Sequence, residues 1–178
     1  FCLTEPQGGS DASAIRTRAE RRRGTYILNG TKQFITSGKN ADIALVFAAT
    51  DLGQGKQGIS CFIVETKQSG YCVRRTESKM GQNASDTCEI SFDELRVSEE
   101  SRLGAEGQGY RIALANLEGG RIGIAAQAVG MARAAFEIPF QLLFQFNRAI
   151  RLFRAAPRHR LRGFDPASDA EPRHGDPS

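Results

Sequence analysis

The sequence predicts an α+β chain: an antiparallel β-barrel of two packed sheets, then one long helix, then a disordered tail. Three observations predict it. Short apolar runs parted by brief glycine-containing turns follow one another from residue 25 to 97, as antiparallel strands do. After Gly104 the apolar residues recur at three- and four-residue steps. After residue 137 lysine vanishes and arginine, proline and alanine take over. The boundaries expected are therefore 1–103 for the β part, 104–137 for the helix and 138–178 for the tail.

The strands come first. Tyr26-Ile27-Leu28, Asn29-Gly30 and Thr31 to Thr36 read as a two-residue hairpin, because Asn-Gly accepts the positive φ of a type I′ turn. Ile43 to Phe47 is a continuous apolar strand, buried on both faces. Asp51 to Gly58 is a glycine-rich turn, and Ile59 to Val64 the next strand. The Ser69-Gly70 turn leads to a short strand at Val73. Thr87 to Phe92 then alternates Cys88, Ile90 and Phe92 with polar residues. Arg21-Arg22-Arg23-Gly24 reads as a solvated turn rather than a phosphate patch.

The helix is expected over Glu106 to Glu137. Leu114, Leu117, Arg121, Ile124, Ala128, Ala132 and Ala135 mark its stripe. Glu106 suits the positive end of the helix dipole, and Pro139 is expected to end the helix. Gly119-Gly120 lies mid-helix, where each glycine costs about 1 kcal/mol relative to alanine. The pair admits either close packing of another element or a ligand. Arg121, on the apolar stripe, either snorkels or fixes an anion.

The formal charge of +4 divides into +1 for residues 1–137 and +3 for the tail. Five of six prolines (139, 157, 166, 172, 177) and both histidines, His159 and His174, lie in the tail. A segment so composed buries little, so disorder is expected. No membrane span is expected and no targeting signal is seen in these residues. A body without histidine excludes Ser-His-Asp and Cys-His nucleophiles and histidine metal sites there. Cys2, Cys61, Cys72 and Cys88, with no C-x-x-C pair, read as free buried thiols of a reducing compartment.

The chemistry is concentrated in the opening run, F-C-L-T-E-P-Q-G-G-S-D-A-S-A. Glycines let backbone N–H groups approach an anion, and Ser10 adds a hydroxyl donor. Alone, that composition is shared with ordinary surface loops. However, Cys2 to Ala14 resembles the first signature of the acyl-CoA dehydrogenase family. Asn29-Gly30-Thr31-Lys32-Gln33-Phe34-Ile35-Thr36 is similar to that family's N-G-x-K-x-[WF]-I-[TS] segment. Met80-Gly81 with Ser85-Asp86-Thr87, then Gly104-x-Glu106-Gly107-x-Gly109-Tyr110, then Glu118-Gly119-Gly120-Arg121 follow in family order. Gly58-Ile59-Ser60-Cys61 and the Gly-Gly-Arg run lean toward short- or branched-chain members.

The resemblance implies the family's middle β-barrel domain plus the first helix of its C-terminal helical domain. It implies an FAD-dependent oxidation of acyl-CoA to 2,3-enoyl-CoA, with electrons passed to electron-transfer flavoprotein, in fatty-acid or branched-chain amino-acid catabolism. A homotetramer in the bacterial cytoplasm or mitochondrial matrix is implied for the full-length parent. By the same resemblance Phe1, Leu3 and Thr4 border the flavin, and Gly9 and Ser10 contact the FAD pyrophosphate. Phe34 packs on the ring beside Ile35, and Thr36 aims its hydroxyl near the flavin N5. Ser10, Glu118 and Arg121 face the acyl-CoA.

Beyond Glu137 the resemblance stops, and the composition there reads as a frameshift or assembly error near residue 138. The family's catalytic glutamate has no counterpart in these residues, and Glu171 is not assigned to that role. No catalytic residue, no metal ligand and no nucleic-acid partner is therefore expected, and the fragment itself is expected to be inactive. The alternatives are a same-fold acyl-CoA oxidase and a non-catalytic basic module acting through the tail.

Overall fold

The computed structural model describes residues 1–155. It is an α+β arrangement of one seven-stranded sheet and one long helix. The strands are β1 (Arg18–Arg22), β2 (Thr25–Thr36), β3 (Ile43–Ala49), β4 (Ile59–Glu65), β5 (Tyr71–Thr76), β6 (Thr87–Ser98) and β7 (Arg102–Leu103). The helix is α1 (Gly109–Ala155). In the sheet the order is β5-β6-β2-β1-β3-β4-β7. All neighbours are antiparallel except β1 and β3, which pair in parallel at Arg18 and Ala49. The chain divides into two compact units, Phe1–Ile122 and Gly123–Ser178.

The expected hairpin at Asn29-Gly30 is replaced by one continuous strand. Gly30 has φ 152°, and a Cβ there would lie 2.5 Å from Thr17 Oγ1. The glycine thus serves a close approach of Thr17 within the sheet. The register against β6 slips between Leu28 and Gly30, a bulge. Asn29 faces Glu94 across it, donating from Nδ2 (2.8 Å) and accepting from the Glu94 N–H (2.8 Å). The tight turn lies earlier, at Arg23-Gly24, with φ 50° and 78° between the paired Arg22 and Thr25. Two positive φ values in a two-residue loop are the type I′ geometry. The arginines of this turn are solvated as expected, with Arg21 paired to Glu99 and Arg22 to Glu20.

Two apolar clusters hold the first unit together. The larger one gathers Tyr26, Leu28, Val46, Phe62, Ile90 and Leu95 with their neighbours on the inward positions of the strands. The smaller joins Leu3, Ile15, Phe47, Ile59 and Cys61 to Ala113, so it fixes the first turns of α1 against β3 and β4. Glycine stands at the first position of the helix, where a Cβ would meet the Ser60 carbonyl carbon at 2.6 Å. Glu106 precedes the helix instead of starting it. It accepts the Tyr26 hydroxyl at 2.8 Å, while Arg102 Nη1 donates to the same hydroxyl oxygen at 2.8 Å.

Pro139 does not end the helix, which runs on to Ala155. One interior proline removes a single backbone bond, and the flanks Ala132, Ala134, Ala135, Leu142 and Leu143 are strong helix formers. In the second unit Phe136 stacks on Phe140 with centroids 6.1 Å apart, and Arg133 binds Glu137 one turn on. The expectation of disorder thus fails over 138–155. Its remainder, with His159, His174, Glu171 and the last four prolines, lies outside the described residues. Among the described residues no helix is long and apolar enough to cross a membrane.

Candidate functional site

Residues 1–17 form a loop stitched to two interior strands of the sheet, β3 and β2. Cys2 lies along β3: its N–H donates to Leu45 O at 2.7 Å and its carbonyl accepts from Phe47 at 3.1 Å. Phe1 rests on Phe47, ring centroids 4.9 Å apart. On the other side Gln33 N–H donates to Thr4 O at 2.9 Å, tying the loop to β2. Reciprocal backbone bonds between Glu5 and Gly8 close a turn around Pro6-Gln7, and Asp11 Oδ1 accepts from Ser13 N at 2.9 Å. Gly9 and Ser10 are left exposed between these two turns.

At the loop's root a charged pair is fully enclosed. Lys32 is 0% exposed and Glu5 4%. Lys32 Nζ donates to Glu5 Oε1 at 2.7 Å and to Leu3 O at 3.1 Å. Glu5 also accepts from the backbone N–H groups of Arg16 (2.7 Å) and Thr17 (3.0 Å) and from Gln7 Nε2 (2.6 Å). Burial pushes the Glu5 carboxyl up, but the Lys32 charge and these donors outweigh it and leave it below its ordinary value. Burial also lowers the Lys32 ammonium, which Glu5 only partly offsets.

Phe34, two residues past Lys32, is a positive-φ residue (58°) and 60% exposed. Between the pairs Lys32–Ile90 and Ile35–Cys88, three steps of β2 span two of β6. This second bulge turns Phe34 outward while Lys32 and Ile35 both point in. A large apolar ring held outward in a costly backbone conformation marks a place where something else covers it.

Phe1, Leu3, Thr4, Gly9, Ser10, Phe34, Ile35 and Arg121 all line one cleft of about 450 Å³. Asp11, Ala12, Tyr110, Leu114 and Leu117 complete its wall. Seven of the eight flavin-side residues named from sequence thus meet with Arg121, although the loop, β2 and α1 are far apart in the chain. Thr36, exposed at the end of β2, and Glu118, exposed on α1, are not among the lining residues. A Cβ at Gly119 or Gly120 would meet nothing within 4 Å, so close packing among the described residues does not explain them.

Sequence reasoning passed over the Lys32–Glu5 pair, although both residues stand inside the quoted motifs. A lysine at an inward position of a strand was the available signal. Tyr110 stands in a motif and Leu114 and Leu117 on the helix stripe, but neither motif nor periodicity shows that they meet at the cleft. Among the cysteines, Cys2, Cys61 and Cys88 are buried but Cys72 is exposed, against expectation. Burial pushes the Cys61 thiol up to about 11 and raises those of Cys2 and Cys88, so all three are poor nucleophiles at neutral pH. Among the described residues no group of three or more His, Cys, Asp or Glu is placed to hold a metal.

Comparison with known proteins identifies the family. The family model for the acyl-CoA dehydrogenase middle domain matches residues 1–95. The acyl-CoA dehydrogenase of Bacillus subtilis (strain 168) is 53% identical over 137 residues, covering 77% of this chain and 36% of that protein. The mitochondrial short/branched chain specific acyl-CoA dehydrogenase of Rattus norvegicus is 44% identical over 153 residues, covering 84% and 35%. The solved structure of butyryl-CoA dehydrogenase from Megasphaera elsdenii superposes with a TM-score of 0.74 at 49% identity, covering 76% and 36%. The chain spans about a third of the length of these relatives. On its motifs, its sheet and these matches, the chain belongs to the acyl-CoA dehydrogenase family.

Proposed function

We propose that the cleft is the flavin-facing wall of an FAD-dependent acyl-CoA dehydrogenase. The parent would oxidise an acyl-CoA to its 2,3-enoyl-CoA and pass electrons to an electron-transfer flavoprotein. The observation that carries the reading is the convergence of Phe1, Leu3, Thr4, Gly9, Ser10, Phe34 and Ile35 with Arg121 on one cleft. In this reading residues 1–103 are the middle domain, its sheet closed as a two-layered barrel. Residues 104–137 begin the C-terminal helical domain, and 138–178 are the atypical tail. The full-length protein would be a homotetramer in a bacterial cytoplasm or a mitochondrial matrix.

The residues present fit the cofactor. Bound FAD supplies a hydride acceptor. The exposed face of Phe34 would cover its flat ring system, and burying an aromatic of this size is favourable. Gly9, whose nearest would-be Cβ neighbour is Thr4 Cγ2 at 3.9 Å, leaves room for a pyrophosphate beside its backbone. Ser10 adds a hydroxyl donor, and Thr4 lines the same cleft. Arg121 supplies a fixed positive charge on the helix side, suited to an anionic part of acyl-CoA. Glu118, one turn before it, would face the substrate, and Thr36 would reach the ring only from the strand end. Leu114 and Leu117 add apolar surface to that side of the cleft.

In this reading these residues bind and orient, and the family's proton-removing glutamate has no counterpart among them. The chain by itself is therefore expected to bind FAD weakly and to lack dehydrogenase activity. Adding an acyl-CoA to the FAD-loaded 178-residue chain tests this. Flavin absorbance should stay unchanged, and acyl-CoA-dependent bleaching would refute the assignment of all the acid–base chemistry to other segments.

A further inference from the structure

We propose that the buried Lys32–Glu5 pair is a positioning device that turns Phe34 into the cleft and holds the Leu3-Thr4 backbone beside it. The proposal rests on the flavin reading of that cleft and adds a role to residues outside its lining.

The pair does not touch the cleft. Lys32 and Glu5 are enclosed, and neither lines it. Their contacts are directed at the segments that do. Lys32 Nζ fixes the carbonyl of Leu3 (3.1 Å), while the next residue of the loop, Thr4, is bonded by Gln33 N–H (2.9 Å). Glu5 gathers the N–H groups of Arg16 and Thr17, so both ends of the glycine loop are tied to one carboxylate.

The second link is the bulge. Strict alternation would give Lys32 and Phe34 the same face. The extra residue between Lys32 and Ile35 breaks it, and Phe34 takes φ 58°. A slip that removed the bulge would relieve Phe34 and bury its ring. It would also move Ile35 off the core, where it is 3% exposed. The Lys32 ammonium reaches its two partners only from this position, so the ion pair fixes β2 on one side of the bulge, while the buried Ile35 fixes it on the other; Phe34 is presented between these two anchors. An apolar pair of similar volume would often be as stable. Retention of charge here is explained by register and loop placement rather than by stability.

The chain contains no tryptophan, so Phe34→Trp places a single reporter at this position. The experiment compares that variant with and without Lys32→Met plus Glu5→Gln. The added pair of changes removes both charges and leaves one side-chain oxygen for the loop N–H groups. Urea unfolding, acrylamide quenching and FAD titration are measured on the 178-residue chain. A positioning role predicts a folded triple variant whose indole quenching falls about twofold or more and whose FAD affinity falls about tenfold, equivalent to about 1.4 kcal/mol of binding free energy. Unchanged quenching together with unchanged affinity in a folded triple variant would overturn the proposal and leave the pair a structural contact. A changed quenching with no FAD binding even by the parent would support positioning of Phe34 while removing the flavin reading. Should the triple variant fail to fold, Lys32→Arg in the Phe34→Trp background decides by the same readouts. It keeps the charge but cannot place one ammonium between Leu3 O and Glu5 Oε1.

Discussion

At the residue scale, the most exacting position is Lys32. Its ammonium is enclosed, so removing it alone leaves Glu5 as a buried, uncompensated charge. Lys32→Met should therefore cost about 3–5 kcal/mol, read as a drop in the urea midpoint. The pair also predicts an acid response. The folded Glu5 carboxyl lies below its ordinary value, so it contributes stability above the unfolded pKa, near 4.3, that is lost as pH falls through the folded value. The urea midpoint should fall as the chain is taken below pH ~4, and the fall should flatten in Lys32→Met/Glu5→Gln. A second residue-scale prediction concerns Gly30, packed against Thr17 at positive φ. Gly30→Ala should destabilise by about 1–3 kcal/mol through strain and crowding; a variant as stable as the parent would contradict the close approach.

At the scale of elements, strand content was legible and strand ends were not. Apolar runs located β2, β3, β4 and β6 because burial on one face leaves a pattern in the chain. The turn was misplaced because Asn29-Gly30 has turn chemistry, whereas Arg23-Gly24 has only one residue that favours positive φ. What decided between them was Thr17, a tertiary neighbour that no local window contains. The helix shows the same limit. Its periodicity was plain, yet local proline chemistry predicted an end at Pro139 that the flanking helix formers override. Pro139→Ala should raise helicity by far-UV circular dichroism and stabilise that stretch by up to about 3 kcal/mol. No gain would mean that the helix is already broken there.

At the scale of the whole molecule, the site became visible through motif order rather than through any single motif. The glycine loop was ambiguous alone, and the structure supplied what spacing could not: the bulge that exposes Phe34 and the helix placement that brings Arg121 to the same cleft. The reading of a frameshift near residue 138 belongs to this scale too. One relative matches over 137 residues and another over 153, so similarity in the second case extends beyond the length of the body alone. That extension weighs against a break at residue 138; the frameshift reading stands only if translating the encoding DNA in one of the other two frames yields a longer family-like continuation, and none in either frame would remove it.

The most direct test of the central claim, that this cleft is a flavin site, is an amide NMR map of FAD binding to the 178-residue chain. The account predicts saturable shifts centred on Leu3, Thr4, Gly9, Ser10, Phe34 and Ile35. The outer face around Arg18, Arg22 and Asp51, which lines a separate cleft, should stay silent. No saturable shifts, or shifts centred on that outer face, would contradict it.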